Sequence, residues 1–306
     1  MTPKKLTSKR ARKTTAGEGS SITPPVEIEF DGHRFCGEEH QCSFEVIKDW
    51  SFLKERIVQL PEGEHIEFQA EIARRHWTQL AEPMRKYDPE IVMEFYANAW
   101  PTEEGVMDKC SIVRGQWIPY DTYAINQFLR NLLILEEGQQ CEYIARRSQT
   151  IGFDEKAIGQ LLCFPGRDFV LSMAGKRLRV MHTNMMTLTQ IWMTFLLSNI
   201  LLSDHNSDLT LPKCQLVYNI MEHISVHVAQ LILDAIHQFV GTKPPRHPVD
   251  PKNSNKALGF PALNIGLYHF YGAPITPTKH IRPPINRSFI EKYYMPRQVQ
   301  QPKQDQ

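Results

Sequence analysis

The chain lacks most of the signatures by which a sequence declares an enzyme. It has no phosphate-binding glycine loop or dinucleotide fingerprint: Gly152, Gly159 and Gly166 are too dispersed to cradle a phosphate. His223 and His227 have the spacing of a zinc-hydrolase pair, but Ile224 stands where the general base of H-E-x-x-H belongs. With Gln230, Asp234 and His237 they read as the polar stripe of one long helix, facing solvent. An RNase H-like transposase needs several carboxylates converging on paired Mg²⁺ ions from strands of a mixed sheet. Asp168, Asp204, Asp208 and Asp234 end no convincing buried strand, so Asp204 and Asp208 are expected to stabilise a turn or cap a helix. A transposase or nuclease with an unrecognised metal site remains an alternative reading, and catalysis is not expected.

Long apolar runs are also missing. Met185–Leu202 is interrupted by Thr187, Thr189, Gln190, Thr194, Ser198 and Asn199, the text of a buried helix and not of a membrane span. The basic start leads into Thr, Gly and Ser instead of an apolar stretch, so no signal peptide is expected. Six cysteines scattered from Cys36 to Cys214 form no compact disulfide framework, consistent with reduced thiols and a protein that is not secreted. Excess charge of one sign is absent: 35 basic and 34 acidic residues give a net charge of +1, too little for a global attraction to nucleic acid or membrane.

What is present is helical text. Ile66, Ala70, Ala73, Trp77 and Leu80 form one stripe of a helix over 65–81, with Glu71 and Arg75 paired on its other face. Asp88-Pro89-Glu90 is a helix start, and Asp121 and Asp154 can cap two more helices. Residues 111–120 read as a hairpin turning at Arg114-Gly115, and 168–180 as a second. A buried helix over 184–202 precedes one unbroken helix over 212–240, where Leu216, Ile220, Ile224, Val228, Leu231, Ala235 and Phe239 keep helical spacing. Trp77, Phe95, Tyr96, Trp117, Phe128 and Trp192 are expected in the core. The fold class is therefore mainly α: a single multi-helix globular domain with one or two short β-hairpins. It spans 43–275, between a basic, largely disordered arm at 1–42 and a Pro/Gln-rich disordered tail at 276–306.

Two basic sets are candidate contacts. Lys4, Lys5, Lys9, Arg10, Arg12 and Lys13 have the pattern of a nuclear-import signal or a phosphate-gripping arm, against the plainer reading of a solubilising tail. Arg167, Lys176, Arg177 and Arg179 lie on or beside the second hairpin, where a solvated strand face is the plainer reading. His33, Cys36, His40 and Cys42 carry zinc-ligand chemistry, but their H-x2-C-x3-H-x-C spacing fits no common finger, and no metal site is assigned. No cofactor and no small-molecule ligand are expected. The expected partner is a protein or a nucleic acid, without a membrane, in the nucleus or otherwise the cytoplasm.

The order of several segments carries a resemblance. E-F-Y-A-N-A at 94–99, V-R-G-Q-W-I-P-Y at 113–120 and the A-I-N-Q-F-L helix start come first. Trp192 and Phe195 before the S-D-H-N-S-D loop at 203–208, L-G-F-P-A-L at 258–263 and Y-G-A-P-I at 271–275 follow. Over roughly 45–275 the chain resembles the family described as Putative plant transposon protein domain. The resemblance implies descent from a plant transposable element and brings no catalytic residues. It leaves two non-catalytic readings open: a helical module binding protein or nucleic acid, and a capsid-like, self-associating retroelement protein.

Overall fold

A computed structural model of the chain describes residues 29–100, 109–131, 133, 135–136, 138–148, 153–240 and 257–294. In chain order the elements are α1 (Glu38–Ile47), β1 (Ser51–Phe52), β2 (Arg56–Gln59), α2 (Ile66–Arg74), α3 (Thr78–Ala81), β3 (Lys86–Tyr87) and α4 (Pro89–Asn98). A hairpin follows, β4 (Cys110–Val113) and β5 (Gln116–Pro119), then α5 (Thr122–Leu129), α6 (Glu142–Ser148) and α7 (Glu155–Leu162). Next come β6 (Val170–Leu171), β7 (Arg177–Met181), α8 (Thr187–Asn199), β8 (Asp208–Thr210), α9 (Leu211–Met221) and α10 (Val228–Val240). The last are β9 (Ala257–Leu258), α11 (Pro261–Phe270), β10 (Lys279–His280), β11 (Arg282–Asn286) and α12 (Arg287–Tyr293). The protein is mainly helical with small sheets. Among the described residues no helix is long and apolar enough to cross a membrane.

The capping aspartates act where the sequence places them. Asp88 accepts from Glu90 N, Asp121 from Ala124 N, and Asp154 from both Lys156 N and Ala157 N. Each satisfies amides that the first helical turn leaves without a partner. The first hairpin turns at Arg114 (φ +49°) and Gly115 (φ +77°), the doubly left-handed turn that matches strand twist. Helix α8 is buried on every side from Thr189 to Asn199 and forms the centre of the core. Trp192 lies between Phe68 and Phe195, at ring-centroid distances of 4.3 and 5.9 Å. At its end the Asn199 amide donates to Arg56 O and Leu80 O and accepts from Arg56 N, fixing β2 and α3 to α8.

Helix α4 is joined to the first hairpin by buried polar groups. Glu94, wholly buried, accepts from Arg114 N at 2.6 Å and from Arg34 Nε at 2.9 Å. Asn98 donates to Arg34 O and Ile112 O and accepts from Cys36 N. Ser111 Oγ donates to Phe95 O, and Tyr120 OH to Ala99 O. The E-F-Y-A-N-A and V-R-G-Q-W-I-P-Y segments are thus two halves of one joint.

Several expectations are corrected. The helix expected over 65–81 breaks at Arg75–Trp77, and Ile66 is exposed. Glu71 and Arg75, expected as a pair on the face opposite the apolar stripe, are paired at 2.5 Å but both buried. The reason is a second break: the helix expected over 212–240 stops at Met221, and His223 adopts a left-handed φ of +61°. Arg75 Nη2 donates to Ile220 O and Ile224 O beside that break, and His223 Nδ1 meets Glu71 Oε2 at 2.6 Å. His223 and His227 therefore flank a link between helices. Trp117, expected in the core, is 60% exposed, because alternation along β5 points Ile118 inward instead.

The sheets exceed one or two hairpins. Beside β4–β5 and the three-stranded β6–β7–β8, β1 pairs in parallel with β9 and β2 in parallel with β11, while β3 pairs antiparallel with β10. These pairings also move the expected boundaries. The stretch 276–306 contains β10, β11 and α12, and its prolines fit because β11 has a single partner strand. Likewise 1–42 contains the start of α1; residues 1–28 and 295–306 lie outside the described residues.

Glu94→Ala is expected to lower stability by about 2–4 kcal/mol, because it leaves two arginines and a buried amide without their acceptor. Glu94→Gln should lose clearly less. Urea unfolding of the two variants checks this, and a near-neutral Glu94→Ala would contradict the joint.

Candidate functional site

The second hairpin is built from R-D-F-V-L-S-M-A-G-K-R-L-R-V-M at 167–181. Ser172 N donates to Lys176 O, Gly175 N to Ser172 O, and Lys176 N to Ser172 Oγ, which closes the turn. Val170 is in register with Arg179 and Leu171 with Arg177. β8 completes the sheet, with Val180 opposite Leu209. Val180, Leu209 and Phe169 are buried and anchor the sheet to the body.

Of the basic residues expected here, two are tied. Arg177 stands 3.7 Å from Glu155 and 3.6 Å from Asp168, over the ring of Phe169. Arg179 stands 3.5 Å from the buried carboxylate of Asp208, which His205 also meets at 3.3 Å. Arg167 and Lys176 are exposed and make no ion pair with a described residue. What the sequence reading missed lies between them. Leu171 and Leu178 are each about half exposed, and Met173 at the tip is fully exposed. Exposed aliphatic residues set among basic ones mark a contact surface more specifically than the basic residues alone. Alternation hid them, since Leu171 is in phase with buried Phe169 and Leu178 with buried Val180, and both therefore read as inward-facing.

The other sequence candidates lie apart from this surface. Lys4, Lys5, Lys9, Arg10, Arg12 and Lys13 lie outside the described residues. His33 packs over the first hairpin's turn, where a Cβ on Gly115 would fall 2.4 Å from its ring. His40 is buried with Nε2 3.5 Å from Trp100 O, its pKa lowered by burial, whereas Cys42 is exposed. Among the described residues no group of His, Cys, Asp and Glu is placed to hold a metal ion. Asp204 pairs with Arg282, and Asp208 with Arg179. Burial raises the Cys163 thiol to about 11 and the Cys214 thiol to about 12, which keeps both protonated near neutrality.

The model of the Putative plant retrotransposon-related domain matches residues 73–274. The chain belongs to this family. No curated protein and no solved structure matches it. The matched span contains the α4–hairpin joint, the basic hairpin and the central helix α8, in line with the plant-transposon resemblance carried by the sequence segments.

Proposed function

We propose that this retrotransposon-related chain is a non-catalytic interaction module that seats an acidic, partly apolar protein partner on the β6–β7 hairpin. The observation that carries the reading is the exposure of Leu171, Met173 and Leu178 beside Arg167 and Lys176. Burying aliphatic surface supplies affinity, and the cations select a partner of opposite sign. The same features favour a protein over nucleic acid: aliphatic side chains offer bases no stacking platform, and the hairpin's own aromatic, Phe169, is buried. They also disfavour the capsid-like reading for this surface, since a symmetric contact would bring two basic hairpins together. Strand-transfer chemistry is the weakest reading, because Asp204 and Asp208 are each held by an arginine. The basic arm at residues 4–13 would deliver the module to the nucleus.

Affinity capture with the tagged chain tests the surface. Leu171→Ser with Leu178→Ser, and separately Arg167→Glu with Lys176→Glu, should each release the captured partner. Thermal stability should stay near wild type, as for exposed substitutions of about 0.5 kcal/mol or less. Capture unchanged in both variants would contradict the proposal, as would steeply salt-dependent binding of mixed-sequence DNA or RNA abolished by the charge reversals alone. Deleting residues 1–14 should move a fluorescent fusion out of the nucleus; an unchanged distribution would remove the import role.

A further inference from the structure

A cleft of about 370 Å³ opens between α3, the end of α5 and α11, within the size range of small-molecule sites. Its floor is unusual. Glu55 is only 2% exposed and makes no salt bridge with a described residue. Its carboxylate is held by the start of α11: Oε1 accepts from Ala262 N at 3.0 Å and Leu263 N at 2.8 Å, and Oε2 from Ala262 N at 3.1 Å. Gln79 also lines the cleft, and its Oε1 is buried without a hydrogen-bond donor. An acceptor in that position is costly unless something donates to it. The exposed carboxylate of Glu82 adds a third acceptor group.

The walls are apolar. Phe128 and Phe270 meet edge to face at 6.1 Å, and Met84 is 40% exposed. Gly266 makes room for this wall, since a Cβ there would lie 2.5 Å from Phe128 Cζ. Arg130 and His269 line the cleft too, so its charge is mixed; the buried oxygens of Glu55 and Asn199 already have donors, whereas Gln79 Oε1 has none. Desolvation lifts the Glu55 carboxyl to about 7, against the amides of Leu263 and Ala262 and the charge of Arg282, which lower it.

We infer that this cleft binds a small organic cation, an ammonium group on an apolar or aromatic body. The ammonium donates to Gln79 Oε1 and is drawn by the Glu55 and Glu82 carboxylates. The body lies against Phe128, Phe270 and Met84, and the aromatic faces add attraction for the charge. No sequence pattern marks it, because Glu55, Gln79 and Phe270 are far apart in the chain and none belongs to a spaced motif.

Three probes of one shape test the assignment on the full chain by ¹⁵N-resolved NMR titration: 2-phenylethylamine, 2-phenylethanol and 3-phenylpropanoate. The amine should bind about tenfold more tightly than the alcohol, as expected for a charge-assisted hydrogen bond, and the carboxylate weakest. Perturbed amides should cluster on α11 and α3. Gln79→Leu and Glu82→Gln should each erase most of the amine's advantage and leave alcohol binding in place. Gln79 on α3 and Glu82 directly after it both line the cleft, and an unchanged amide spectrum outside the cleft shows that the variants fold. Equal binding of amine and alcohol, tighter binding of the carboxylate, or no binding by any probe would overturn the inference.

Discussion

The buried carboxylate of Glu94 is the constraint on which the N-terminal half of the fold depends. It is held between the Arg34 side chain and the Arg114 amide, with Asn98 bonding to both neighbouring segments one helical turn later. A charge removed from water needs such a full complement of donors. The hairpin turn, the loop before α1 and the helix α4 must therefore form together or not at all. That accounts for the two most distinctive segments of the sequence: their residues satisfy one another.

A second polar cluster organises the other side. At the break between α9 and α10 Arg75 binds the carbonyls of Ile220 and Ile224, while Glu71 holds Arg74, Arg75 and His223. An ion pair at i, i+4 is usually a weak surface feature. Here it is the plug of a helix break, and its value lies in fixing where the chain turns.

Local signals were legible in the sequence. The capping aspartates, the Arg114-Gly115 turn, the second hairpin and the buried helix α8 each depend on residues adjacent in the chain, and each appears where its residues stand. What was illegible is non-local. The stripe from Leu216 to Phe239 continues in phase across the α9–α10 break, so periodicity could not reveal it. The Glu71–Arg75 pair has the spacing of a solvated one, and only the packing of α9 against it shows otherwise. Trp117 and Ile118 compete for the same inward direction, and composition favoured the wrong one. Of the candidate surface, the cations were legible and the aliphatic side chains between them were overlooked. The cleft floor joins Glu55 to α11 across most of the chain length, a juxtaposition without any sequence mark.

The parallel pairings β1–β9 and β2–β11 have a consequence for where the domain begins and ends. The family match covers 73–274, yet β2, β11 and α12 all lie outside it. Ile285 is wholly buried, Arg56 Nη1 donates to Pro283 O, and Tyr294 OH bonds to Thr194 on the central helix. A fragment trimmed to the matched span would strip one flank of α8 bare and leave Asn199 without the backbone of Arg56. The unit that packs together is thus larger than the matched span: its two flanks clasp each other like a buckle through β2 and β11.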